Sequence, residues 1–371
     1  MHTQRHSLPS ISIGSTRELV SLHFGIPGSG PKAYLQASLH ADEIPGMLVA
    51  HHLREQLSEL ERAGHISGEV ILVTAANPIG LMQSEHGVIQ GRFERDSGIN
   101  FNRCYFNPVP ALKAALAGKL GHDAADNVAL IRRHAAHVIA QSPARTETEA
   151  LKKILLGLAI DADIVLDLHC DSEAVLHLYT GTPLAEAAAP LSALLGARAV
   201  LLATESGEQP FDEACGRIWW ELAEHFSGLP IPCACLSVTV EFRGQLDVSH
   251  ALAETDATAL VTFLAHAGVL AVPVAPLPPE LCQPTPLAGV EPLLAPHAGV
   301  LVFGAVPGQV MAAGDLVADL VDPVSGAVTP LRASVAGVLF ARTMQRFVQR
   351  GGAVAKIAGA VAFRTGNLLG Q

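Results

Sequence analysis

DIVLDLH, residues 163–169, is the stretch that decides the fold. Its apolar residues run together instead of alternating with polar ones, as in a strand buried on both faces of a parallel sheet. Working outward, residues 69–75 (EVILVTA) form a second such run, and residues 33–38 (AYLQAS) a shorter one. Val49, Leu53, Leu57 and Leu60 follow at i, i+4, i+8 and i+11, which is one face of a helix. Residues 127–139, 147–160, 211–226 and 254–266 read as further helices, and 236–242 (LSVTVEF) as a β-branched strand. Strands alternating with helices predict an α/β fold, a mixed, mostly parallel sheet flanked by helices.

The chain is long enough for two domains at 371 residues, and 49% hydrophobic content supports a large core. Its charge, 24 − 35 = −11, argues against nucleic acid and anionic membrane as partners. No stretch reaches the ~18 apolar residues of a membrane span. The opening MHTQRHSLPS lacks the apolar centre of a secretory signal. Six cysteines (104, 170, 215, 233, 235 and 282) include no C-x-x-C pair, which fits a reduced, cytoplasmic compartment.

Composition changes at residues 271–286, where prolines 273, 276, 278, 279, 284 and 286 favour an extended connector. The expected division is a domain at 1–270, a Pro-rich linker at 271–285 and an all-β domain at 286–371. The last part repeats itself. AGVL at 298–301 recurs at 336–339, and Gly314 followed by LVA at 316–318 recurs as Gly351 followed by AVA at 353–355. Two matching halves predict a small pseudo-symmetric β unit. It resembles the biotinyl/lipoyl-type barrel-sandwich. The hairpin region 321–330 has no lysine, so the likeness implies shape without a carrier role.

Four short motifs carry chemistry. His40 and Glu43 lie three apart at a strand-to-helix corner, the place where ligands gather in α/β sheets. A histidine nitrogen and a carboxylate there suit Zn²⁺, although Asp42 and Glu43 also suit a helix N-terminal dipole. Asp167 and His169 end the buried strand on one face, so His169 is a candidate third ligand or a satisfied core histidine. Arg95, Asn102 and Arg103 form a cluster able to hold an anionic substrate, or a solvated loop. Glu241 sits in an apolar strand, where a carboxylate needs a partner or a task. The partner would be Arg243 and the task that of a general base.

Taken in order, His40-x-x-Glu43, Arg95-x6-Asn102-Arg103, Asp167-Leu168-His169 and Glu241 resemble the succinylglutamate desuccinylase/aspartoacylase family of zinc carboxypeptidase-like hydrolases. The likeness spans about residues 30–270, and the family's C-terminal β domain over the active site matches 286–360. It implies one Zn²⁺ per chain held by His40, Glu43 and His169. It further implies Arg95 on the scissile carbonyl, Asn102 and Arg103 on a substrate carboxylate, and Glu241 as general base and then acid. Arg243 is a candidate for a second acid group, with a plain salt bridge as its other reading. Asn100 replaces the acidic residue expected behind the first histidine; it accepts the same hydrogen bond without the charge. The expected activity is hydrolysis of a small N-acyl amino acid or related carboxylate. The rivals are a metallocarboxypeptidase acting on peptides and a non-catalytic binding protein on the same fold. A homo-oligomer is compatible with any of these.

Overall fold

The computed structural model describes residues 1–369. The chain opens with β1 (His2–Ser7), β2 (Glu18–Gly25) and β3 (Lys32–Ala37), then α1 (Pro45–Arg62) and β4 (Glu69–Val73). A turn of helix, α2 (Pro78–Leu81), and a hairpin of β5 (Ser84–Glu85) and β6 (Val88–Ile89) lead to α3 (Val109–Leu116), α4 (Ala124–Gln141) and α5 (Glu147–Ala159). There follow β7 (Ile164–Asp171), β8 (Glu173–Ala174), β9 (His177–Gly181), α6 (Ala185–Leu195), β10 (Ala199–Ala203), α7 (Phe211–His225), β11 (Leu236–Gly244), α8 (His250–His266) and β12 (Thr285–Pro286).

The large sheet has nine strands in the order β1-β2-β4-β3-β7-β11-β9-β10-β12. The pairs β3/β4, β3/β7, β7/β11, β9/β10 and β10/β12 are parallel; β1/β2, β2/β4 and β9/β11 are antiparallel. The mixed, mostly parallel sheet expected from the apolar runs is therefore present. Both faces are covered. One core gathers α3, α4, α5 and α7 residues around Trp219, Phe211 and Leu151, and the other gathers α1, α6 and α8 residues around Leu53, Leu260 and Leu191. β7 is central, with every residue buried except Asp171, which explains why its apolar residues occupy both faces.

Beyond α8 no helix or strand occurs until β12. The chain then forms β13 (Val290–Leu294), β14 (Gly299–Phe303), β15 (Val310–Met311), β16 (Leu316–Val321), β17 (Val328–Arg332), β18 (Gly337–Arg342), β19 (Phe347–Val348) and β20 (Ala353–Gly359). Two antiparallel sheets result, ordered β17-β16-β14-β19 and β13-β20-β18-β15. The sequence repeat falls on them symmetrically. Its first copy supplies the antiparallel pair β14/β16 of one sheet, and its second the pair β18/β20 of the other. Leu301, Val317, Leu320, Leu339, Val354 and Ile357 pack between them.

These sheets are stitched to the large one just past β7. β8 pairs with β18, Arg342 and Arg346 both bind Glu173 at 2.6 Å, and Met344 N donates to Ser172 Oγ at 2.8 Å.

α1 starts against the end of β7. Pro45 occupies its first turn, where the missing N–H costs nothing. A Cβ on Gly46 would stand 2.9 Å from the Leu168 carbonyl oxygen. Gly46→Ala should therefore push α1 off β7 and destabilise the fold by about 1–3 kcal/mol, as overpacking does. A thermal melt matching wild type would show that the helix start yields freely.

Candidate active site

β3 and β7 are parallel neighbours, with Gln36 opposite Asp167, so their carboxyl ends deliver the following residues to one place. His40 and Glu43 lie just beyond β3, and His169 lies near the carboxyl end of β7. All three are buried, and one ligand atom from each lies within 4.8 Å of the others. Glu43 bridges the rings: Oε1 is 2.8 Å from His40 Nδ1 and Oε2 is 2.7 Å from His169 Nδ1.

The far sides of both rings are held from behind. His40 Nε2 lies 2.8 Å from Asn100 Oδ1, so the asparagine takes the role expected of it. His169 Nε2 lies 2.9 Å from Asp167 Oδ2. Asp167 Oδ1 accepts from Gln36 Nε2 at 2.9 Å, and Gln36 Oε1 accepts from the Tyr34 hydroxyl at 2.8 Å. With each Nε2 engaged, the two Nδ1 atoms turn toward Glu43. Outer partners of this kind fix ring orientation and tautomer at metal sites.

The electrostatics follow from burial and these contacts. Burial alone would raise the Glu43 carboxyl, but His40 and His169 pull it well below the ordinary value. Burial alone would lower His169, but Asp167 and Glu43 hold its imidazolium strongly. Burial and then Arg92 lower His40, which favours its neutral form. A cation entering between the Nδ1 atoms would replace the His169 proton, the usual coupling of metal binding to proton release.

The cluster lines a cavity of about 580 Å³. Glu241 is in its wall, on β11 opposite His169 of β7. Glu241 Oε2 is buried without a hydrogen-bond partner, and burial followed by the Glu43 charge pushes the carboxyl up to about 8. Asn102 and Arg103 line the same cavity. Asn102 Oδ1 accepts from Phe211 N at 2.8 Å, and Arg103 Nη1 donates to the Asn102 carbonyl at 2.7 Å.

Two arginines lie elsewhere than expected. Arg95 is exposed and outside the cavity lining. Phe93 bridges to Asn100, and Glu94 N donates to the Ile99 carbonyl at 2.9 Å, so residues 94–99 fold back as a tip with Arg95 on it. Arg92, at the root of that tip, enters the cavity instead. Its Nη1 stands 3.1 Å from Glu43 Oε1 and 3.3 Å from His40 Nδ1. Arg243 also leaves the site. The register shifts between Glu241 and Gly244, and Arg243 takes a left-handed backbone (φ 59°). Its guanidinium turns to Asp256 of α8 as an ion pair, beside Pro45 and Leu48 of α1. The salt-bridge reading holds for Arg243, with Asp256 and not Glu241 as its partner.

The C-terminal sheets supply part of the wall through Leu294, Phe340 and Lys356, and the segment after β20 through Arg364 and Asn367. Lys356 Nζ donates to Asp171 Oδ2 at 2.5 Å, two residues past His169. Sequence reasoning missed Arg92, Lys356 and two acids of the cavity, Asp212 and Glu213. Arg92 lies three residues ahead of the motif that began at Arg95, and spacing alone did not point to it.

Among the described residues, no helix is long and apolar enough to cross a membrane. Residues 29–127 match the model of the succinylglutamate desuccinylase/aspartoacylase catalytic domain. No curated protein matches the sequence. Among solved structures, the chain is similar to a succinylglutamate desuccinylase/aspartoacylase family protein of Shewanella amazonensis, with 26% identity, 96% of this chain and 98% of that one covered, and a TM-score of 0.84. A succinylglutamate desuccinylase/aspartoacylase of Shewanella frigidimarina, 23% identical, covers 96% and 97% with the same score of 0.84. The product-bound ectoine utilization protein EutE (DoeB) of Ruegeria pomeroyi shares the fold at 18% identity, covering 96% and 94% with a TM-score of 0.67. The ordered motifs, the match over residues 29–127 and the likeness along nearly the whole length point the same way: the chain is similar to the succinylglutamate desuccinylase/aspartoacylase family.

Proposed function

We propose that this protein is a zinc-dependent hydrolase that cleaves the amide bond of a small N-acyl amino acid or related carboxylate. The observation that carries the reading is the convergence of His40 Nδ1, Glu43 and His169 Nδ1 in a cavity that also presents Glu241, Arg92 and Arg103. Two nitrogens and one carboxylate are the donor set of a catalytic zinc with an open position. Zinc bound there supplies an electrophile for a carbonyl oxygen and lowers the pKa of adjacent water to about 7.

The chain's own groups would do the rest. Glu241 Oε2, unpaired in the cavity wall, takes a proton from the attacking water and returns it to the leaving nitrogen. Arg92 faces the same point as the two histidines, so its guanidinium would hold the charge that develops on the carbonyl oxygen. Arg103, with Asn102 beside it, would clamp a substrate carboxylate. The cavity volume of about 580 Å³ suits a small molecule and weighs against the peptidase reading. On this reading residues 1–270 are the catalytic unit, 271–285 its linker and 286–371 a β unit completing the cavity, with 370–371 outside the described residues. Hydrolysis of N-acetyl and N-succinyl amino acids by zinc-loaded protein tests the proposal, and inactivity across that panel would reject it.

Elemental analysis should find one divalent metal per wild-type chain and none in His40→Ala or His169→Ala. Asn100→Ala should bind metal about 10–100-fold more weakly, the usual effect of removing a partner behind a ligand. Full metal retention in either histidine variant would remove that residue from the ligand set.

Glu241→Gln should keep metal and fold but lose about 10²–10⁴-fold in kcat. In wild type, kcat/KM should fall toward acid as Glu241 takes up its proton. That limb should lie below pH 8, since a cation on Glu43 offsets the charge that helps raise Glu241. A Glu241→Gln enzyme of near wild-type rate would make Glu241 a structural residue.

Arg92→Ala should lose about 10²–10³-fold in kcat, as for an oxyanion donor, while Arg95→Ala stays near wild type. The reverse ranking in steady-state kinetics would mean that Arg95 enters the cavity when substrate is bound.

A further inference from the structure

The cavity continues past Glu241 over β9 and β10, into a recess that the mechanism leaves unused. Strand register sets its floor. Thr239 of β11 lies opposite Tyr179 of β9, and Tyr179 opposite Leu201 of β10, so the three share one face of the sheet, and all line the cavity. The C-terminal part of the chain supplies the roof. Leu201 packs in one apolar cluster with Val290 and Phe340, and Tyr179, Leu368 and Leu369 pack against that cluster. All of these residues also line the cavity.

Two cations reach this end, and both are engaged. Lys356 Nζ donates to Asp171 Oδ2 at 2.5 Å. Arg364 donates from Nη1 to the Val290 carbonyl at 3.3 Å and from Nη2 to the Leu368 carbonyl at 2.6 Å. Leu368 N in turn donates to the Ser206 carbonyl at 2.8 Å. Arg364 and Ser206 thus pin the segment after β20 across the end of the recess, with Leu368 and Leu369 as its stop. A carboxylate entering there would have to break one of these attachments or stay unpaired, which is costly away from water. An aliphatic group would meet apolar walls and lose nothing.

The carboxylate clamp lies at the other end. Asn102 Nδ2 is 3.5 Å from His169 Nε2, and Phe211, whose N–H goes to Asn102, packs on Tyr34 of β3 with ring centres 5.8 Å apart. Asn102 and Arg103 therefore stand over β3 and β7. Leu201 is on β10, three strand spacings from β7, which is about 14 Å, and Glu241 lies between. Resting on the hydrolase reading above, we infer that the recess receives the acyl group of the substrate and that this group is aliphatic. The carboxylate of the amine half goes to Arg103, the scissile amide lies at Glu241, and the acyl chain runs over Tyr179 and Leu201 beneath Phe340. The preferred substrate is then an N-acyl amino acid with a branched or medium-length aliphatic acyl group, in place of an acetyl or a dicarboxylic one.

The test compares N-(4-methylpentanoyl)glycine with N-succinylglycine, acyl groups of matching shape that end in an isopropyl group and a carboxylate. Zinc-loaded wild type should favour the 4-methylpentanoyl compound in kcat/KM by about 10–100-fold, the scale of an unpaired buried polar group. Across acetyl, propionyl and butyryl glycine, kcat/KM should rise about fourfold per methylene. Leu368→Ala, at a half-buried position, should lower kcat/KM for the 4-methylpentanoyl compound by a larger factor than for N-acetylglycine. Equal handling of the first pair by wild type, or a preference for succinyl, would overturn the inference without any variant. So would a preference for N-acetyl-leucine over N-acetyl-aspartate with none between the two acyl groups, which would put the apolar group on the amine half. If no compound of either series is hydrolysed, the hydrolase reading fails instead, and calorimetry with free 4-methylpentanoate and succinate decides the recess. Tighter 4-methylpentanoate binding that Leu368→Ala weakens supports it; equal or weaker binding overturns it.

Discussion

One carboxylate holds the centre of this molecule together. Glu43 reaches both histidines, His40 a few residues before it and His169 across the sheet, and takes a third hydrogen bond from Cys170 N at 3.2 Å. Burying so many ionisable groups is costly unless every one has a partner. The chain from Tyr34 through Gln36, Asp167, His169 and Glu43 to His40 and Asn100 meets that demand with side chains from β3, β7 and two loops. The register of β3 against β7 is therefore also the geometry of the site. A slip by one residue would turn Gln36 and Asp167 to opposite faces and break the chain.

Around that centre the cavity wall carries both signs of charge. Arg92 stands beside His40 and Glu43, and Arg103 stands near Arg92 and the acids Asp212 and Glu213 that open α7. Lys356 arrives from the C-terminal sheets already paired with Asp171. The start of α7 is fixed from both sides: Pro210 sets the extended entry, and Phe211 N is tied to Asn102 of the arginine loop.

Where burial was uniform, the residues spoke plainly. β4 and the first half of β7 are apolar runs because both faces of the sheet are covered, β11 shows its apolar residues at every second position, and α1 shows its stripe because only one of its faces is buried. β1 could not be read, because HTQRHS is an exposed edge strand with no apolar alternation. α6 was hidden by alanines and by Pro190 inside it. At the site, motif order was enough to bring His40, Glu43, His169, Glu241, Asn102 and Arg103 together. It failed for Arg95 and Arg243 because spacing says nothing of where a loop folds back or a strand bulges. The Phe93–Asn100 bridge and the left-handed backbone at Arg243 decide those two directions.

The stitch between β8 and β18 joins residues about 170 positions apart: Glu173 faces Arg342, and Ala174 faces Ala341. On a ribosome, domains form as their residues emerge, at roughly 5–20 residues per second. The histidines and Glu43 would be in place well before the far wall of their cavity has been made. For some seconds the nascent protein would carry a half-open pocket with an unpaired Asp171 and Glu173 on its rim. The completed cavity thus reports that β20 has been synthesised and has docked, so a chain interrupted before that point would hold its ligands without the shape that selects a substrate.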